Sequence, residues 1–223
     1  QLIADAFIKL APDNSATILM NHSEFGNGAY TSLSMMVAEE LDLSWELINL
    51  EAAPTETQYY SPLFREYLTA GSVSTASSFM PMRLAGARTR ALLLEAAAKL
   101  WETGVGLLRT QESYVYHENG INIAYGDLIP VIRAHRLIPP TEVDLKESGK
   151  YRILGKPTRR IEAKEKLDGT AVFGIDIRLP DMIYGVVQRP TVFGAKVVSF
   201  NAEDALKVPG VIKAKAIDAG VVV

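Results

Sequence analysis

The apolar and polar positions at the start of the chain predict two short strands. Ala6-Phe7-Ile8-Lys9-Leu10 is the first candidate, and the alternating, β-branched stretch Ala16-Thr17-Ile18-Leu19-Met20-Asn21-His22 is the second. Pro12-Asp13-Asn14-Ser15 between them is turn chemistry, so the pair reads as a hairpin. The period then changes: Leu33, Met36, Val37 and Leu41 recur at helical spacing, which predicts a helix over 29–41. Residues 47–51 form another short strand candidate, and 52–70, broken by Pro54 and Pro62, read as irregular. The strongest helix signal covers 84–101. Leu84, Ala87, Ala91, Leu94, Ala98 and Trp101 share one stripe there, and Leu92, Leu93 and Ala97 widen it, so the helix is expected to be mostly buried. Pro81 marks its start or a bend. Residues 113–117 and 121–124 pair across Glu118-Asn119-Gly120, and a short helix follows over 125–135.

Residues 136–167 change character. Pro139-Pro140 is followed by Lys and Glu interspersed with Gly149, Gly155 and Pro157, the composition of a connecting segment on a surface. A second unit is expected from 168, with strands over 171–175, 183–188, 196–200 and 211–217. A helix over 202–207 is stopped by Pro209-Gly210. The chain opens on Gln1 without an initiator Met or a signal peptide. It closes on the apolar run Ala219-Gly220-Val221-Val222-Val223. A free apolar strand at a chain end invites edge pairing, so the natural polypeptide is expected to continue. The fold class is α+β, organised as 1–135, a connecting segment 136–167 and a smaller unit 168–223.

Composition narrows the functions. With 223 residues, 48% apolar and 22% charged, the chain is an ordinary globular one. The 23 basic against 26 acidic residues, a formal charge of −3, speak against nucleic acid as a partner. No apolar run approaches the ~18 residues of a membrane span. The absence of cysteine excludes a disulfide, a thiolate nucleophile and any Cys-ligated zinc or iron–sulfur centre in this chain. His22, His117 and His135, the only histidines, lack metal-site spacing. Redox work by this protein therefore needs a bound cofactor or a second polypeptide.

Two segments are built to receive an anion. Ser23-Glu24-Phe25-Gly26-Asn27-Gly28-Ala29-Tyr30-Thr31 places two glycines between a strand and a helix. Glycine lets backbone approach a ligand, and a helix start offers free N–H groups and a positive dipole end. The plainer reading is a tight turn with an Asn cap. Leu68-Thr69-Ala70-Gly71-Ser72-Val73-Ser74-Thr75-Ala76-Ser77-Ser78 puts hydroxyls and small residues ahead of the long helix. Its plainer reading is a close-packed helix start. Two such segments in one domain point to an extended, phosphate-bearing ligand. Neither Gly-x-Ser-x-Gly nor a Ser–His–acid set is present. Arg83, Arg88 and Arg90 are either helix-surface ion-pair partners or a cationic rim for phosphates. His22 and Glu24 are either polar groups at a strand end or an acid/base pair. His117 and His135 read as structural or exposed. Arg159-Arg160 and 164–166 read as solvated linker charge.

These residues resemble a known family. His22-Ser23-Glu24-Phe25-Gly26-Asn27-Gly28-Ala29-Tyr30-Thr31 is similar to the Glu-Met-Gly-Gln-Gly-x-x-Thr motif of the xanthine oxidase family of molybdenum hydroxylases. Thr69-Ala70-Gly71-Ser72-Val73-Ser74-Thr75 resembles its second pterin-contacting segment. Asp168-Gly169-Thr170-Ala171-Val172-Phe173-Gly174-Ile175-Asp176-Ile177, then Met182-Ile183-Tyr184-Gly185 and the stretch from Arg189-Pro190 to Phe200, look like the start of its α/β hammerhead domain. The order of segments is most similar to the β-subunit of isoquinoline 1-oxidoreductase and to the large subunit of membrane-associated aldehyde dehydrogenase.

The resemblance implies that Gly26, Asn27 and Gly28 approach a molybdopterin cofactor, in bacteria often the cytosine dinucleotide form. It implies that Ala70, Gly71, Ser72, Ser74 and Thr75 contact its pterin or phosphates. Asn27 stands where the family has Gln, one methylene longer. The implied reaction hydroxylates a carbon beside a heteroatom, or oxidises an aldehyde, with water as the oxygen source. Electrons leave through [2Fe-2S] clusters in a separate small subunit, with a cytochrome c as a further acceptor. The family's general-base Glu lies in a Gly-x-Gly-Glu segment after the hammerhead, and this sequence contains no such segment. The expectation is a portion of a molybdenum subunit that holds cofactor-binding segments, carries no catalytic residue and works with the remainder of that subunit. Periplasm is the compartment the resemblance suggests, with cytoplasm the alternative. A non-catalytic scaffold and a generic phosphate- or nucleotide-binding domain are the competing functions.

Overall fold

The computed structural model describes residues 1–223 and divides into two compact units, Gln1–Ala171 and Val172–Val223. In the first unit, β1 (Leu2–Asp5), β2 (Ile8–Leu10) and β3 (Ala16–Met20) form an antiparallel meander. The expected hairpin is β2–β3, with Ile8 opposite Ile18. The added edge strand β1 lies outside that expectation. β3 is buried along its whole length rather than alternating, because α1 (Ala29–Leu41) carries the chain over to β4 (Ile48–Ala52), which pairs parallel to it. A central strand with a parallel neighbour is covered on both faces and reads as a continuous apolar run.

The long helix α2 spans Ser74–Leu100, ten residues further upstream than the apolar stripe indicates, with Pro81 inside it. Its buried face carries Met82, Ala85, Gly86, Ala87, Thr89, Leu92, Leu93, Ala96, Ala97 and Ala98, while Leu84, Ala91 and Leu94 are only partly covered. Of the expected stripe Ala87 and Ala98 are buried, as are the flanking Leu92, Leu93 and Ala97, so the buried face is turned toward those flanking positions. The core forms where Ile8, Ile18 and Met20 of the sheet meet Leu33, Met36 and Val37 of α1 and Met82, Leu92 and Leu93 of α2. A small antiparallel sheet of β5 (Leu108–Gln111), β6 (Tyr114–His117) and β7 (Asn122–Ala124) follows, then α3 (Ile129–His135). The β6–β7 pair is the one expected, and β5 is an additional strand.

Residues 136–168 return along α1 and end in α4 (Ala163–Asp168). They are bound, not merely apposed. The Glu39 carboxylate accepts the backbone N–H groups of Arg152, Ile153 and Leu154, and Glu40 accepts that of Lys146. At the other end of α1, Ile161 N donates to Thr31 Oγ1, which donates to Glu162. Arg83, Arg88 and Arg90 all donate to carbonyls within 141–146, and Arg83 pairs with Glu40 at 2.6 Å. The three arginines are ion-pair and backbone partners of this segment, and the phosphate-rim reading is set aside.

In the second unit, β8 (Val187–Gln188), α5 (Glu203–Leu206), β9 (Lys215–Ile217) and β10 (Gly220–Val222) form a three-stranded sheet with one helix. The strands expected over 171–175 and 196–200 do not form. Those expected over 183–188 and 211–217 survive only at their ends. β10, expected as a free terminal edge, is the middle strand of the sheet. Strand propensity without a pairing partner does not make a strand, and much of this unit's apolar surface is uncovered: Ile175, Phe193, Val198 and Ile212 are all exposed.

Candidate functional site

The two sequence segments come together. Phe25, Asn27 and Ala29 from the loop before α1 and Thr69, Ala70, Gly71, Ser72, Ser74 and Thr75 from the start of α2 line one open cleft of about 450 Å³. Direct hydrogen bonds tie the two segments together. Ser23 N donates to Thr69 Oγ1 at 2.8 Å, and Ser32 Oγ lies 3.1 Å from Thr75 Oγ1. Of the residues singled out from sequence, Asn27, Ala70, Gly71, Ser72, Ser74 and Thr75 line the cleft, whereas Gly26 and Gly28 do not. A Cβ on Gly28 would face the Arg160 guanidinium at 3.6 Å, not the cleft. Gly28 is required by its backbone: φ is +78° at the residue that opens α1, a conformation costly for a side chain.

The two helix starts are not equivalent. The start of α1 already holds an anion, the carboxylate of Glu24. It accepts Gly26 N at 2.7 Å, Gly28 N at 3.2 Å and Tyr30 N at 3.3 Å. Burial pushes the Glu24 carboxyl up, but these three N–H groups and the nearby Lys166 ammonium outweigh it, leaving it below the ordinary carboxylate range. The start of α2 has no side-chain cap; Gly71 and Ser72, both at positive φ, turn the chain into it. Most of the free donors expected at α1 are thus taken, while those at the start of α2 are open.

Glu24 and His22 are not an acid/base pair. His22 is buried, its Nε2 lies 3.0 Å from Ser78 Oγ, and Ser78 also receives Asn21 Nδ2 at 3.3 Å. Its Nδ1 makes no well-formed hydrogen bond. Burial lowers its pKa below 6.5, and the nearby Leu68 backbone offsets this only in part. The imidazole is therefore expected to be still mainly neutral at pH 6.5, which a ring-nitrogen NMR titration of His22 measures. The unfolded chain takes up that proton first, so this residue lowers stability as pH falls below its ordinary value. A His22 charged at pH 6.5 or above overturns this. Nor are Arg160 and Lys166 solvated linker charge. Arg160 Nη2 donates to the Gly26 carbonyl at 2.9 Å, and Lys166 Nζ lies 3.3 Å from Glu162 and 3.7 Å from Glu24. Their role had no signal in the linker composition, because it arises only when 160–166 returns to α1.

The domain is α+β and brings two loop-to-helix junctions onto one hydroxyl-lined cleft. The chain belongs to the molybdopterin cofactor-binding domain family, which it matches over residues 2–177. It is 27% identical to the beta chain of isoquinoline 1-oxidoreductase from Brevundimonas diminuta, over 98% of this chain and 32% of that protein. It is 28% identical to a membrane-bound aldehyde dehydrogenase [pyrroloquinoline-quinone] of Gluconacetobacter polyoxogenes, over 94% of this chain and 27% of the relative. A nicotinate dehydrogenase polypeptide of Pseudomonas putida is 30% identical over 84% of this chain and 15% of its own length. The chain thus spans a third or less of these relatives.

Proposed function

We propose that this chain is the portion of a molybdenum-dependent oxidoreductase that grips the pterin end and phosphates of molybdopterin, in its cytosine dinucleotide form. The observation that carries the reading is the cleft shared by the loop before α1 and the start of α2. Its chemistry suits the group. The hydroxyls of Ser72, Ser74 and Thr75 and the uncapped start of α2 supply donors for phosphate oxygens. Ala29, Ala70 and Gly71 keep the floor low, and a volume of about 450 Å³ lies in the range of small-molecule sites. The bound group supplies molybdenum redox chemistry, hydroxylating an N-heterocycle or oxidising an aldehyde with water as oxygen source. The residues of this chain bind and orient it and do not move the reacting proton. The general base and the remaining contacts come from the rest of the molybdenum subunit, and the [2Fe-2S] clusters from a small subunit that passes electrons on, with cytochrome c as an acceptor. The exposed apolar residues of 172–223 support a further polypeptide packed there, as a hammerhead domain completed by the rest of the subunit.

The test is the molybdenum, pterin and nucleotide content of the full-length parent protein. Near-stoichiometric molybdenum and pterin, with CMP released on hydrolysis, is the expected result. Ser74→Asp places a carboxylate where phosphate is expected. Like charges about 4 Å apart repel by about 4 kcal/mol at an effective dielectric of 20, so retention should fall at least about tenfold. A parent protein free of pterin, or a Ser74→Asp variant that retains it fully, overturns the reading.

A further inference from the structure

We infer that Glu24 is the positioning residue of the cleft: its carboxylate, seated in the start of α1 and held there by Arg160 and Lys166, fixes the Phe25–Asn27 loop as a rigid wall. The inference rests on the molybdopterin reading for what the wall holds, and on geometry alone for how it is held.

A loop that changes direction over two glycines is soft unless something fills it. Here the filling is one side chain, only 4% exposed. Its two oxygens collect three backbone donors spaced over Gly26, Gly28 and Tyr30, so the loop wraps round the carboxylate. Asn27 adds longer contacts: Phe25 N at 3.4 Å and Ala29 N at 3.5 Å donate to its Oδ1, and its Nδ2 donates to the Ser23 carbonyl at 3.3 Å. The carboxylate is the shorter and stronger organiser.

The opposite side of the loop is closed by the returning segment. Arg160 lies 3.9 Å from Glu24 and 3.5 Å from Glu162 while donating to the Gly26 carbonyl, and Lys166 lies near both acids. Thr31, the last residue of the family-like motif, points to this segment rather than to the cleft, through Glu162 and Ile161 N. The cluster is two acids and two bases around one loop. It blocks the positive end of α1 to outside anions and leaves α2 as the open one. The segment read from composition as a connector is thus the back support of the cleft wall.

The experiment is Glu24→Ala in the full-length protein, with and without added acetate. Hydrogen exchange at the Gly26, Gly28 and Tyr30 amides and pterin content are measured together. Exchange at the three amides is expected to accelerate at least about tenfold and pterin content to fall by a similar factor. Acetate, entering the vacated space, should restore amide protection; a residue that only fills volume shows no such rescue. Should Glu24→Ala not fold, Glu24→Gln and Arg160→Ala read the same three amides, with the larger change in the first. Unchanged exchange in these variants overturns the inference. So does a wild-type level of pterin in Glu24→Ala when the wild type is loaded, and that result leaves the molybdopterin reading standing. A wild type without pterin sinks that reading instead, while the amide exchange still decides the role of Glu24.

Discussion

Replacing Glu39 with Gln is expected to lower stability by about 1.5–3 kcal/mol, the usual cost of weakening hydrogen bonds to a buried charged group. Glu39 is fully buried near the end of α1. Its Oε2 accepts Ile153 N at 2.6 Å and both Arg152 N and Leu154 N at 3.0 Å, and Lys146 Nζ lies 3.7 Å from Oε1. Glutamine fills the same space and can keep its one oxygen on these three donors, but its NH2 then stands in the Oε1 place beside Lys146 Nζ and Arg152 N, and the negative charge is gone. The Lys146 ammonium loses one of its acidic partners, and a buried donor faces donors where an acceptor stood. Urea unfolding measures the loss, and exchange at the 152–154 amides locates it.

The acid limb of the stability curve gives a second readout. Burial pushes the Glu39 carboxyl up, but the three backbone N–H groups and Lys146 bring it below the ordinary range. The unfolded chain therefore binds this proton at a higher pH than the folded one. The contribution is complete above the ordinary carboxylate pKa and fades as pH falls through the depressed folded value. Glu39→Gln should flatten that fall. A loss under about 1 kcal/mol together with an unchanged acid limb would count against the assignment. Glu40 and Asp42 share Lys146 with Glu39, so double variants should not add.

What the sequence made legible follows physical range. α1 and the β2–β3 and β6–β7 hairpins are written in local period and turn residues, and they form where expected. The cleft was legible because its two walls are each contiguous segments with their own chemistry. The fate of Glu24 was not, since whether a helix start receives a ligand or its own side chain depends on the rotamer of one residue four positions upstream of Gly28. The buried face of α2 is legible only in part, at Ala87, Leu92, Leu93, Ala97 and Ala98, because alanine and leucine recur on several sides and the docking of α1 selects among them. The returning segment was read as solvent-facing from its charges. Those charges face buried acids more than a hundred residues earlier, and no local pattern carries that pairing. In 172–223, most of the residues expected as strands have no pairing partner within the chain, and only 187–188 and 215–217 of them pair.

Gly86→Val is expected to cost about 2–3 kcal/mol and to loosen the cleft as well, because the helices that carry its two walls meet at this glycine. A Cβ built there lies 2.8 Å from the Val37 carbonyl oxygen and 2.9 Å from Glu40 Cβ. Neither neighbour can swing aside. The carbonyl belongs to the backbone of α1, and Glu40 is held by Arg83 and by the Lys146 amide. Alanine at this position would recover about 1 kcal/mol of helix propensity but meets the same first contact, so Gly86→Ala should also be destabilised, by less. Relief requires α1 and α2 to part, which draws Asn27 and Ala29 away from Ser72 and Ser74. Thermal unfolding measures the first effect, and pterin retention in the full-length protein the second. A Gly86→Ala variant more stable than the wild type would show that α1 and α2 are not in contact here, and would remove the rigid link between the two walls.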